Sequence, residues 1–172
     1  ERRLTGAAKK HVEVFAVNDH SRLQSFGGQP GLSALAEHTV SVFNAVTAIY
    51  RNPPTDGAQF QYEIQVVLVG QQTLVDSDPW NGSVTMQGSE TDCSSLLDRF
   101  NEWGQTQLAA GTSVAYDNRV LLSGRDFDGN TAGLAGLSTM CWPARSGSVN
   151  QCGPSSGDVA HCAAVVAHEM GH

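Results

Sequence analysis

The first apolar run, Val12 to Val17, is interrupted only by Glu13, which predicts a strand covered on both faces. A Gly-rich stretch from Gly27 to Gly31 reads as a loop. Leu32, Leu35, Ala36, Val40, Phe43, Thr47 and Tyr50 then recur at helical spacing, and Asn52-Pro53-Pro54 stops that helix. From Phe60 to Val69 the pattern changes: Phe60, Tyr62, Ile64, Val66 and Leu68 fall on alternate positions, the period of a strand. Asp76 to Gly88 is rich in turn residues. A second helix is predicted from Cys93, burying Leu96, Leu97, Phe100 and Trp103 and stopping at Gly111. Val120 to Leu122 reads as a short buried strand and Asp126 to Asn130 as a turn. Leu134 to Met140 reads as a strand broken by Gly136, and Pro143 to Gly157 as a long polar loop. Asp158 is a good N-cap for a last helix running from Val159 to the chain end. Strands alternating with helices predict an α/β layer arrangement around a central sheet.

Composition narrows the function. A chain of 172 residues has the size of one domain, and its longest unbroken apolar stretch, Cys162 to Ala167, is too short to cross a bilayer. No internal repeat is visible. The chain opens Glu1-Arg2-Arg3-Leu4, without Met or an apolar leader, as a processed piece would. Ten Lys and Arg stand against 17 Asp and Glu, giving a net charge of −7. No basic run is longer than Arg2-Arg3 or Lys9-Lys10, which disfavours nucleic acid and anionic membranes as partners. Cys93, Cys141, Cys152 and Cys162 form no C-x-x-C pair, so a structural zinc cluster is not expected. Disulfides and the sequon Asn81-Gly82-Ser83 lean towards an extracellular protein, against buried free thiols in a reducing one.

The chemistry is concentrated in His168-Glu169-Met170-Gly171-His172. On a helix, residues four apart share a face, so both imidazoles can ligate one zinc ion. Glu169 stands beside them as a general base for a metal-activated water and then as the acid for the leaving amine. Catalytic zinc takes three protein ligands, and two histidines leave the set incomplete. His161 shares the helical face but lies about 10 Å along the axis, too far to share the ion. His11, His20 and His38 carry no spacing signal. Asp126-Phe127-Asp128-Gly129 lacks the layout of an EF-hand and reads as a turn. No phosphate-binding glycine loop is present, and Cys162 beside His161 would point away from it on a helix.

Those residues, with others along the chain, resemble one family. Ala167 to His172 is similar to the start of the metzincin motif H-E-x-x-H-x-x-G-x-x-H, and the resemblance is to the adamalysin or reprolysin branch (snake-venom and ADAM-type metalloproteinases). Val12 to His20 resembles that family's opening strand, Phe100 to Trp103 its FGEW helix, Asp117 to Leu122 its DNAQLL segment, and Gly133 to Cys141 its GLAYVGTMC segment. These matches follow the family's order and span nearly the whole chain.

The resemblance implies an α/β metzincin-type catalytic domain over residues 1–172, with a mixed twisted central sheet flanked by helices and the active-site helix at its C-terminal end. It implies a secreted zinc metalloendopeptidase, or the ectodomain of a membrane-anchored parent, acting on extended protein substrates. His168 and His172 would hold zinc and Glu169 would be catalytic. Gly133, Leu134 and Ala135 would form the sheet edge that pairs with a peptide. Glu13 and Asp117 match ligands of a structural calcium. The third histidine, the Met-turn and the C-terminal subdomain are expected after His172, and a propeptide and C-terminal domains in the parent. The 172 residues alone are therefore expected to hold zinc weakly and cleave nothing. The family partner of Cys141 is expected beyond His172, leaving Cys141 free or mispaired. Some relatives with thrombospondin repeats imply Cys93–Cys152, with Cys152–Cys162 as the competing bridge. The rivals are a hydrolase with a downstream Glu ligand, as in thermolysin-like enzymes, and a metalloproteinase-like binding module without a complete zinc site.

Overall fold

A computed structural model describes residues 8–51, 62–111, 114–153 and 158–172. The expected helix stop Asn52-Pro53-Pro54, the strand start at Phe60 and the opening Glu1 to Leu4 lie outside those residues.

The apolar run at the start forms β1 (Lys9–Asn18). It lies between two parallel neighbours, β2 (Glu63–Thr73) and β5 (Asn118–Ser123), which is why Val14, Ala16 and Val17 are fully buried. Before β2 come a short helix α1 (His20–Ser25) and the long helix α2 (Leu32–Arg51). After β2, a small hairpin of β3 (Met86–Gln87) and β4 (Glu90–Thr91) leads into α3 (Cys93–Ala109). Then follow β5, β6 (Gly133–Ala135), β7 (Gly147–Gln151) and α4 (Val159–Met170). The main sheet has the order β2-β1-β5-β7-β6, all parallel except β6, which runs antiparallel to β7 at the open edge.

Alternation along the central strands sends side chains into two cores, one on each face. Val14, Ala16, Val120 and Leu122 pack with Val42, Phe43 and Val46 of α2 and with Ala163, Val166 and Met170 of α4. Val17, Leu121 and Val149 point the other way, onto Trp80, Leu96, Phe100 and Phe127. The result is the mixed sheet between helices that the family resemblance implies.

Helix boundaries follow local chemistry. Asp92 caps α3 by accepting from the Ser95 amide at 2.7 Å, and Asp158 caps α4 by accepting from the Ala160 amide at 3.0 Å. Gly111, at φ 66°, takes the left-handed conformation just past α3. The turn at Asp126 to Asn130 serves structure: Asp128 Oδ1 accepts from the Cys93 amide at 2.8 Å.

Five expectations need correction. Val40 is 43% exposed, off the buried stripe of α2. The strand expected over Leu134 to Met140 ends at Ala135. Beyond it Thr139 Oγ1 donates to the Gly136 carbonyl and the Trp142 amide to Thr139, so turns replace extended chain. The polar loop expected from Pro143 contains β7, a buried strand of Gly, Ser, Val, Asn and Gln, in which Asn150 Nδ2 donates to the Leu121 carbonyl at 3.0 Å. The turn-rich stretch from Asp76 to Gly88 includes strand β3, which pairs with β4 just beyond it.

The fifth correction is the Cys93–Cys152 pairing: Cys152 bonds Cys162, and Cys93 and Cys141 are free. Cys152 and Cys162 belong to the core on the α2–α4 face, whereas Cys93 belongs to the α3 core on the other side of the sheet.

Candidate metal centre

The last helix is divided lengthwise. Cys162, Ala163, Val166, Ala167 and Met170 face the core, while His161, Ala164 and His168 remain exposed on the opposite side. The backbone helix ends at Met170. Gly171 continues with its amide donating to the carbonyls of Ala167 and His168, and the His172 amide donates to the Glu169 carbonyl, three residues back, at a longer 3.4 Å. His172 therefore sits two residues past the end of the helix, which the sequence predicts to run to the chain end.

The two imidazoles still converge. Their ring centroids are 4.8 Å apart and nearly perpendicular, and ligand atoms of His168, Glu169 and His172 all lie within 4.8 Å of one another. Among the described residues no other His, Cys, Asp or Glu joins this group. Two imidazoles beside a carboxylate, with both rings exposed to solvent, form a donor set suited to zinc. Glu169 Oε2 lies 3.9 Å from His172 Nε2, and the Glu169 side chain is only 7% exposed. Burial raises its carboxyl above the ordinary carboxylate range, against the opposing pull of His168 and then His172.

Three contacts hold α4, two at this end and one at the other. The Tyr50 hydroxyl of α2 donates to the Ala167 carbonyl at 2.8 Å, and the Ser138 amide in the loop after β6 donates to the His172 carbonyl at 2.7 Å. The disulfide ties α4 to the end of β7. Neither hydrogen bond could have been read from sequence, because each joins segments without a pattern linking them.

Beside the cluster lies a cleft of about 460 Å³ lined by residues from Asn130 to Gly133 and by His161, Val165, His168 and Glu169. His161 thus reaches the same cleft as the motif but not the ligand group, as its spacing suggests. Gly133, Leu134 and Ala135 form β6 at the sheet edge, with Gly133 directly against Glu169. The backbone of Glu13 in β1 meets Asp117, just before β5, far along the chain from the motif. The Glu13 amide donates to Asp117 Oδ2 at 2.9 Å, and Cys141 Sγ lies 3.5 Å from Asp117 Oδ1.

The chain is similar to known proteins. One relative is the snake venom metalloproteinase-disintegrin-like mocarhagin of Naja mossambica, 26% identical over 165 residues. The match covers 96% of this chain and 24% of that protein, so the chain spans about a quarter of that relative's length. A chain in a solved structure described as a chaperone-substrate complex superposes with a TM-score of 0.62 over 95% of this chain and 23% of its own. At 13% identity it is a likeness of fold alone. Residues 10–172 match the Reprolysin (M12B) family of zinc metalloproteases through to the paired histidines, and the chain belongs to that family.

Proposed function

We propose that this domain serves a zinc-dependent endopeptidase that hydrolyses extended protein substrates outside the cell. The observation that carries the reading is the convergence of His168, Glu169 and His172 beside the open edge of β6. His168 and His172 would hold the ion. Zinc in such a site supplies Lewis acidity towards a carbonyl and lowers the pKa of water. Glu169, buried and beside both imidazoles, accepts a proton from the attacking water and returns it to the departing amine. Gly133, Leu134 and Ala135 offer backbone groups to an extended peptide, a mode of binding that asks little of side-chain identity.

An extracellular setting is supported by the Cys152–Cys162 disulfide, by the sequon residue Asn81 in an exposed turn, and by the venom relative. A propeptide and C-terminal domains in the parent belong to the same reading. Glu13 and Asp117 supply at most two carboxylates to a calcium ion, which takes 6–8 oxygens, so that part of the proposal rests on the resemblance.

The rival reading is a metalloproteinase-like binding module without a complete zinc site. Glu169→Ala in the full-length protein separates the two readings. Cleavage of an unfolded protein substrate should fall by at least about 100-fold, with zinc per molecule unchanged. Equal cleavage by both proteins would remove Glu169 from the mechanism, and no cleavage by either would favour the binding module.

A further inference from the structure

Gly133 has no side chain, and the space a side chain would fill is taken by the Glu169 side chain. A Cβ built on Gly133 would lie 2.8 Å from Glu169 Cγ, 2.9 Å from Glu169 Oε1 and 2.9 Å from Val165 Cγ1. The backbone conformation does not demand glycine there, since Gly133 is not among the residues at positive φ. The demand is one of space, and its source is the carboxylate-bearing side chain.

What yields when that space is filled is decided by the surroundings. β6 cannot retreat freely: Gly133 pairs with Asn150 of β7, and the Gln151 amide donates to the Ala132 carbonyl at 2.8 Å. The backbone of α4 is fixed by its buried face, by the disulfide and by Tyr50. The movable atoms are the outer ones of Glu169 and Val165.

We propose that Gly133 is a positioning residue for Glu169, its bare Cα being the seat that sets the carboxylate beside His168 and His172. This rests on the reading of Glu169 as general base. Such a base must stay within hydrogen-bonding reach of its proton, and a misplacement of about 1 Å costs on the order of 100-fold in rate. The role differs from the backbone pairing offered by Leu134 and Ala135, because it acts on the reacting group and leaves the binding of peptide untouched.

The test compares wild type, Gly133→Ala, Glu169→Ala and the double variant in the full-length protein. Gly133→Ala should lower kcat on a peptide substrate by about 100-fold while KM stays within about threefold. Zinc content and the thermal midpoint should match wild type. In the Glu169→Ala background, calorimetric titration with the uncleaved peptide should give the same Kd with Gly or Ala at position 133. Adding Val165→Ala to Gly133→Ala opens one of the three contacts and should recover kcat several-fold. Retained kcat in Gly133→Ala, with Glu169→Ala inactive, would overturn the inference and leave the proposed function standing. So would a tenfold weaker Kd, which would show that the added methyl obstructs the peptide and does not act through the carboxylate, or loss of cooperative unfolding, which would show that β6 yields in place of the carboxylate. Glu169→Ala as active as wild type would sink the underlying reading instead.

Discussion

Cys93 and Cys141 share a side chain and little else. Cys93 is buried at the start of α3, where burial and then the carboxylates of Asp128, Glu169 and Asp92 push its thiol up to about 12. Cys141 is exposed, at φ 64° in the loop after β6; desolvation and then Asp117 raise its thiol as well. Reactivity needs both thiolate and access. Iodoacetamide at pH 8 should therefore label Cys141 at least about tenfold faster than Cys93 in the native protein. Asp117→Asn should speed Cys141 further, and peptide mass mapping reads both. Equal labelling at the two sites would contradict the buried setting of Cys93. At this scale the sequence was informative wherever chemistry and spacing coincide. His168, Glu169 and His172 are legible because helical geometry brings neighbours four apart together. The contact of Gly133 with Glu169 is not, because it joins a strand to a helix across 36 positions without any local periodicity.

Each element was legible to the extent that its apolar pattern decided its form. β1, α2, α3 and α4 bury apolar residues at the period of their own secondary structure, so they are visible in the chain. β7 is not, because its buried groups are largely polar, and the partner that Asn150 Nδ2 finds, the Leu121 carbonyl, is supplied only by the folded sheet. The pairing of Cys152 with Cys162 is of the same kind, fixed by which face of the sheet each thiol occupies. Tyr50 makes a prediction about elements. Its hydroxyl joins α2 to α4, and Tyr50→Phe should cost about 1 kcal/mol in urea unfolding. Burial also raises Tyr50 to about 12 from its ordinary 10.0, as Cys93 is raised to about 12 from 9.0. Both acids hold their protons more tightly folded than unfolded. Their contribution is complete below about pH 9 and is lost as pH climbs towards 12. Urea midpoints should be level from pH 7 to 8.5 and fall above pH 9, less steeply in Tyr50→Phe beyond pH 10. A midpoint that rises in that window would reverse the assignment.

The whole molecule divides at its sheet. One core serves α2 and α4, the other serves α3, and the disulfide lies wholly in the first. Closing a loop of 10 residues restricts the unfolded chain by about 3 kcal/mol. Replacing Cys152 and Cys162 by Ser should lower unfolding stability by roughly that amount, measured by urea titration against the oxidised parent. An unchanged midpoint would mean that the bridge adds nothing beyond packing. The layered α/β order was legible because strands and helices alternate along the chain. The strand order was not, since no local pattern tells β7 to enter between β5 and β6.

The open margin of that sheet is three residues long. A strand laid against Gly133, Leu134 and Ala135 can form only a handful of backbone rungs, each worth about 1 kcal/mol net. Whatever docks there, a peptide, its severed halves or a second copy of the chain, is held briefly. The shortness of β6 thus favours rapid exchange of occupants at this edge of the sheet.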